Sequence, residues 1–221
     1  MIELINVSKT IKDGSENREI LGNLNLVINK GDYITIKGES GSGKSTLLNI
    51  MSLLLKPTTG VVKINGEEAN FNKEEALCKL RGDNMGLVFQ NPNLISCLNA
   101  IDNILLASNS KKSRDLKDRA QNLLEIVGMK DKSHAKVRTL SGGEAQRISI
   151  VRAMINSPDI LLCDEPTGAL DNDNSLKVIS LIEDLYKKNN CSLVIVTHDD
   201  KIWKRGKRKI ILERGMINEI C

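Results

Sequence analysis

Apolar and polar residues alternate over two short stretches near the start of the chain, Ile2–Val7 and Leu24–Ile28. They do so again at Tyr33–Lys37, just past a Lys30-Gly31-Asp32 turn signal, and the period of two predicts three strands. The segment Lys12–Arg18, between the first two, reads as a loop. The period changes after Lys44, where Leu47, Leu48, Met51, Leu54 and Leu55 take helical spacing in a helix that stops before Pro57. Gly60 and Gly66 then bracket a strand at Val61–Ile64. Met85–Phe89, Ile160–Cys163 and Leu193–Val196 are short apolar runs, the pattern of strands buried on both faces. Helices are predicted at Ser141–Asn156 and Asn174–Lys188, and Leu94–Thr139 is mostly helical with a charge-mixed stretch at Asn109–Arg119, as in an inserted helical subdomain. Buried strands separated by helices imply an α/β fold with a mainly parallel sheet.

Composition narrows the class. With 221 residues, 40% hydrophobic and 27% charged, the chain suits one large globular domain, or one carrying a subdomain. The excess of 32 Lys+Arg over 28 Asp+Glu, a net +4, is too small to imply nucleic acid as a partner, and 2% aromatic residues argue against recognition built on stacked bases. The five cysteines are odd in number and at least 19 residues apart, which fits neither a disulfide framework nor paired zinc ligands but a reducing cytosol. Met1–Val7 lacks the basic start and long apolar stretch of a signal peptide. No apolar run reaches the roughly 18–20 residues that span a bilayer, so a membrane role requires a partner. The basic run Lys201, Lys204, Arg205, Lys207, Arg208, Lys209 and the mixed segment Lys111–Asp115 read as solvated faces, and His134 as a surface residue.

Gly38-Glu39-Ser40-Gly41-Ser42-Gly43-Lys44-Ser45, followed by Thr46, matches G-x-x-x-x-G-K-[ST] between a predicted strand and a predicted helix. Glycines let successive N–H groups turn inward around phosphate oxygens, while Lys44 would reach the β- and γ-phosphates and Ser45 would ligate Mg²⁺. A glycine-rich turn ahead of a lysine is the plain alternative. The run Ile160–Cys163 delivers Asp164 and Glu165 at the end of a strand, where Asp164 suits a Mg²⁺ shell and Glu165 the polarisation of an attacking water. Capping acids ahead of Pro166 would look the same. Ser141 begins a helix whose first turn holds Gly142 and Gly143, and Ser141 with Glu144 also forms a Ser-x-x-Glu capping box.

The octapeptide Leu140-Ser141-Gly142-Gly143-Glu144-Ala145-Gln146-Arg147 resembles the signature of ATP-binding cassette proteins. The resemblance runs from about Ile2 to Asn218. It implies a P-loop NTPase with a mainly parallel core sheet, an N-terminal antiparallel β subdomain and a helical subdomain at about 94–139, all within one ATPase domain. Gln90 resembles the family's loop glutamine, which senses Mg²⁺ and γ-phosphate. Asp171, in Asp164-Glu165-Pro166-Thr167-Gly168-Ala169-Leu170-Asp171, resembles its dimer contact, and His198 its switch histidine. The wording of Gly86–Gln90 and Thr167–Asp171 looks most like the lipoprotein-release, macrolide-efflux and antimicrobial-peptide-resistance transporters. The implied protein is a cytoplasmic ATPase subunit that binds ATP and Mg²⁺, pairs with a second cassette, and drives an integral membrane permease at the inner face of the membrane. In the family the signature of one protomer closes over the phosphate loop of the other, so two identical chains would assemble the site twice. One position departs: near Ile11 the family usually carries an aromatic residue that stacks on adenine. Chromosome-maintenance and DNA-repair cassettes insert long coiled coils between glutamine and signature, whereas Gln90 and Ser141 are close in sequence here. Ribosome-binding cassettes usually carry two motif sets, and a small nucleotide kinase has no use for the signature.

Overall fold

The computed structural model describes residues 1–14, 16–109 and 114–220. Residues 111–113 of the mixed-charge segment, and Cys221, therefore lie outside the described residues. The chain forms two compact units, one built from residues 1–81 together with those from Ser192 onward, the other from Gly82–Cys191.

The first unit holds an antiparallel sheet of β1 (Ile2–Asp13), β2 (Glu16–Ile28), β4 (Thr59–Ile64) and β5 (Glu67–Glu68) in the order β2-β1-β4-β5. Its core face is made of cross-strand rows: Ile2 lies between Ile28 and Ile64, and Leu4 between Leu26 and Val62. A register shift between Leu4 and Val7, where Asn6 takes φ 50°, lets an even- and an odd-numbered residue point into the same core. Beside it β3 (Tyr33–Lys37) runs parallel to β8 (Ser192–Val196) on one side and β9 (Arg208–Glu213) on the other, and β10 (Met216–Ile220) returns antiparallel to β9. Four of the five β3 residues and all of β8 are buried, which explains their continuous apolar runs. Thr35 is the polar exception among the buried residues of β3, and its hydroxyl donates to the Trp203 carbonyl at 2.8 Å, in helix α7 (Asp200–Trp203). Helix α1 (Lys44–Met51) follows β3 and buries Leu47, Leu48, Ile50 and Met51.

The second unit pairs β6 (Met85–Val88) with β7 (Ile160–Asp164) in parallel, Val88 opposite Cys163. Around them stand α3 (Ala100–Leu106), α4 (Arg114–Ile126), α5 (Gly142–Met154) and α6 (Asn172–Asn189). Helix α2 (Glu74–Asn84) spans the point where the chain passes from the first unit to the second. Helix α5 approaches β6 so closely that a Cβ on Gly86 would lie 2.5 Å from the Ala153 carbonyl oxygen and 2.9 Å from Leu161 Cδ1. Neither backbone can withdraw without moving a core element, so Gly86→Ala is expected to lower stability by about 1–3 kcal/mol. That is a fall in Tm of roughly 2–12 °C for a protein of this size, readable by circular dichroism.

Several expectations need correction. The hairpin β1–β2 extends through the segment read as a loop, with Ile11 opposite Arg18, Lys12 opposite Asn17 and Asp13 opposite Glu16. Its outer strand residues from Glu16 to Glu19 are all exposed and carry no alternation to read. Helix α1 stops a turn early because Leu53, buried at φ 59°, reverses the chain, leaving Leu54 exposed. Helix α2 buries only Leu77, too little for a visible period. The basic run is part exposed helix end and part β9: Lys201, Lys204, Arg205 and Lys207 are exposed, but Arg208 pairs with Asp32 and with Glu219, the latter at 2.7 Å. Glu219 first, then Asp32, holds the Arg208 guanidinium above its usual range, and Arg208 holds the Glu219 carboxyl below its own.

Candidate functional site

In the first unit the phosphate-loop segment leaves β3 and enters α1. Gly41 (φ 76°) and Gly43 (φ 100°) are left-handed, and a Cβ at Gly43 would meet the Ile20 carbonyl oxygen at 3.0 Å, so both backbone and space require glycine there. The loop is closed by Ser42 N–H donating to the Glu39 carbonyl at 3.1 Å. Lys44 Nζ lies back over it, donating to the carbonyls of Gly38 and Glu39 at 2.8 Å each. Helix α1 has no side-chain cap and no acid in its first turn, and Ser42 Oγ is buried without a hydrogen bond. An uncapped helix start behind left-handed glycines, with a lysine and an orphaned hydroxyl, is a cradle for polyphosphate. A cavity of about 300 Å³ opens on it, lined by Arg18, Ile20, Gly41, Gly43, Lys44, Ser45 and Thr46.

His198 belongs to the same edge of this unit. Thr197 N–H donates to the Ile36 carbonyl at 3.0 Å, so the end of β8 stands beside the end of β3 from which Gly38 departs. His198 is exposed, and Asp199 caps α7. Lys37 pairs with Asp200 and holds its carboxyl below the usual range, with Nζ 5.5 Å from the Trp203 ring centroid. Ile11 is 44% exposed on β1. His134, in the second unit, is exposed.

The second unit assembles Gln90, Ser141–Gly143, Asp164, Glu165 and Asp171. Gln90 and Glu165 each follow the last register pair of the parallel strands, Val88 with Cys163, by two residues. Their loops touch: a Cβ on Gly168 would lie 2.7 Å from Gln90 Nε2. Glu165 is a non-glycine residue at φ 47°, and its carbonyl accepts from Gly168 N–H at 3.0 Å. Burial raises the neighbouring Cys163 thiol far above its usual range. Ser141 caps α5 in a complete capping box, its N–H donating to Glu144 Oε2 at 2.9 Å and its hydroxyl accepting from Glu144 N–H. Lys132, and then the Ser141 N–H, holds the Glu144 carboxyl below its ordinary range. The glycines of this first turn face the segment that carries Asp171, with Cβ positions 3.7 Å from Leu170 at Gly142 and 3.6 Å from Asn174 at Gly143. Asp171 caps α6 through Asn174 N–H at 2.9 Å, and this bond lowers its pKa. The cap is therefore fully present above the carboxyl's unfolded pKa and is lost as pH falls through the lower folded one.

Sequence reading missed Gln146 and Arg152. Both sit on α5 and hold the loop after β6, Gln146 through the Phe89 carbonyl at 3.0 Å and Arg152 through the carbonyls of Pro92 and Asn93 at 2.7 Å each. The available signal was a polar residue at position 146, on the face that also buries Gly143 and Ile150.

Phosphate loop, acid pair and signature helix on an α/β fold define an ATPase cassette. Residues 21–168 match the ABC transporter family, and the chain belongs to it. It is 41% identical over 213 residues to the lipoprotein-releasing system ATP-binding protein LolD of Legionella pneumophila (strain Paris), covering 95% of this chain and 93% of LolD. It is 40% identical to the macrolide export ATP-binding/permease protein MacB of Escherichia coli, over 98% of this chain but 34% of that longer protein. The dimeric structure of the cassette MJ0796 of Methanocaldococcus jannaschii, in a post-hydrolysis state bound to ADP and Pi, superposes with a TM-score of 0.90 at 38% identity, covering 100% of this chain and 98% of that one.

Proposed function

We propose that the chain is the nucleotide-binding subunit of an exporter, one that pairs with a second copy of itself around two ATP molecules and drives a separate integral membrane permease from the cytoplasmic face. The observation that carries this reading is the uncapped, glycine-turned start of α1 beneath Lys44, in a chain that also presents Asp164 and Glu165 at the end of a parallel strand. The names of LolD and MacB favour export, and the MJ0796 dimer favours pairing. No helix among the described residues is long and apolar enough to cross a membrane, so coupling to transport is assigned to the permease. The helices between 94 and 139 form the inserted subdomain of one ATPase domain spanning 1–221.

In this reading Gly38–Thr46 bind the phosphates, with Lys44 neutralising the β- and γ-oxygens. Ser45, Gln90 and Asp164 offer a hydroxyl, an amide oxygen and a carboxylate, a hard-oxygen set of the kind that shares Mg²⁺ with substrate phosphates. That ion would neutralise charge between the β- and γ-phosphates. Glu165 orients the attacking water, His198 contacts the γ-phosphate, and Ser141–Gly143 close over the nucleotide of the partner, with Asp171 at the dimer contact. Lys44→Ala should abolish nucleotide binding and turnover measured on the purified chain with Mg²⁺; parental activity in that variant overturns the reading.

Adenine recognition should be weak. Ile11 offers an apolar surface but no π-stacking, so GTP is expected to compete with ATP to within about tenfold. Ile11→Tyr should tighten adenine nucleotide binding by up to ~1–3 kcal/mol. Calorimetry on both proteins checks it: unchanged ATP affinity in Ile11→Tyr, or a parental ATP preference above about a hundredfold, refutes this account of the base site.

A further inference from the structure

Gln146 is 1% exposed, and its Nε2 donates to two backbone carbonyls, Phe89 at 3.0 Å and Pro166 at 2.8 Å. Those carbonyls belong to the residue just before Gln90 and the residue just after Glu165. The last register pair of β6 with β7 is Val88 with Cys163, so beyond it the strand ladder no longer aligns the two loops. One amide nitrogen fastens both loops to α5. Those two acceptors fix the amide's orientation, since a flipped amide would set oxygen against two carbonyl oxygens, and Oε1 is left buried without a hydrogen bond. Arg152, further along α5, grips the next carbonyls of the same loop, Pro92 and Asn93.

We propose that Gln146 is a positioning residue that ties the signature helix to the Gln90 and Glu165 loops, so that closure of the helix N-terminus on one ATP is felt by the hydrolytic groups acting on the other. The proposal rests on the reading of the preceding subsection, in which Ser141–Gly143 meet the partner's nucleotide. Gln146 lies five residues along the helix from Ser141, about 7.5 Å of rise, so a tilt or shift of the helix start reaches both loops through one rigid element.

The test is steady-state hydrolysis and equilibrium ATP binding on the purified chain. Gln146→Met keeps length but cannot donate: kcat should fall about 10- to 100-fold with ATP affinity changed less than threefold, and a parental Hill coefficient above 1 should fall to about 1. Gln146→Glu, when protonated, can restore one of the two bonds, so its kcat should rise from pH 8.5 to pH 6 while that of the parent does not. Parental kcat in Gln146→Met, an affinity loss as large as the kcat loss, or a parent without cooperativity overturns the proposal. If Gln146→Met does not fold, a parental pH profile in Gln146→Glu overturns it instead. Lys44→Ala run alongside separates the failures: an active Lys44→Ala defeats the ATPase assignment of the site, whereas an inactive Lys44→Ala with an active Gln146→Met defeats this inference alone.

Discussion

Glu165→Gln is expected to bind ATP with parental affinity and to hydrolyse it about 10²–10⁴ times more slowly. The substitution keeps the size and shape of the side chain, and the backbone at φ 47° is fixed by the Gly168 N–H bond to the residue-165 carbonyl, which the change leaves alone. It removes only the carboxylate that can accept a proton from the attacking water. Lys44, Ser45 and Asp164 remain, so nucleotide and metal binding stay intact. If hydrolysis resolves the closed dimer, a variant blocked at that step should run as a dimer in sizing chromatography with ATP and Mg²⁺ but as a monomer without them. Turnover near the parental rate would take Glu165 out of this role.

Ser141→Arg is expected to abolish hydrolysis while the monomer still binds ATP. The cap it removes is worth about 1 kcal/mol to α5, a cost the unit can absorb. The arginine would fill the space before the helix N-terminus, next to Gly142 and Gly143, where the partner's γ-phosphate is assigned. The sharper outcome comes from mixing Ser141→Arg with Lys44→Ala. Each heterodimer then contains one composite site with an intact phosphate loop and an intact signature, and one with neither. Random pairing should restore up to about a quarter of parental activity, less to the extent that the two sites cooperate. Assembled heterodimers without activity would contradict a site shared between protomers.

How much of this was legible in the chain depends on how much of each element faces a core. Strands buried on both faces, such as β7 and β8, announce themselves as apolar runs, and motifs held by local backbone geometry, such as Gly41 to Lys44, can be read from spacing alone. The outer half of β2 could not be read, since Glu16 to Glu19 face solvent and are placed only by pairing with β1. Strand β9 was hidden by its charge: Arg208 looks like one more member of a basic run, and only the folded chain brings Asp32 and Glu219 to it. Gln146 was inside the most recognisable octapeptide of the sequence, yet its partners are backbone carbonyls 57 and 20 residues away, which leave no trace in composition or period.

The position of β3 has a consequence for how the protein is made. Both strands that flank it, β8 and β9, lie beyond Cys191, while the phosphate loop that it supports is already complete at Ser45. On a ribosome, the nucleotide cradle therefore emerges without its neighbours. It must wait for residues 46–191, roughly 7–30 s of translation, before either edge of β3 can be covered. The intervening unit carries its own strand pair and helices and can form during that interval. The nascent chain thus spends its most exposed period with an unpaired, apolar strand on show, the moment at which a chaperone would find it.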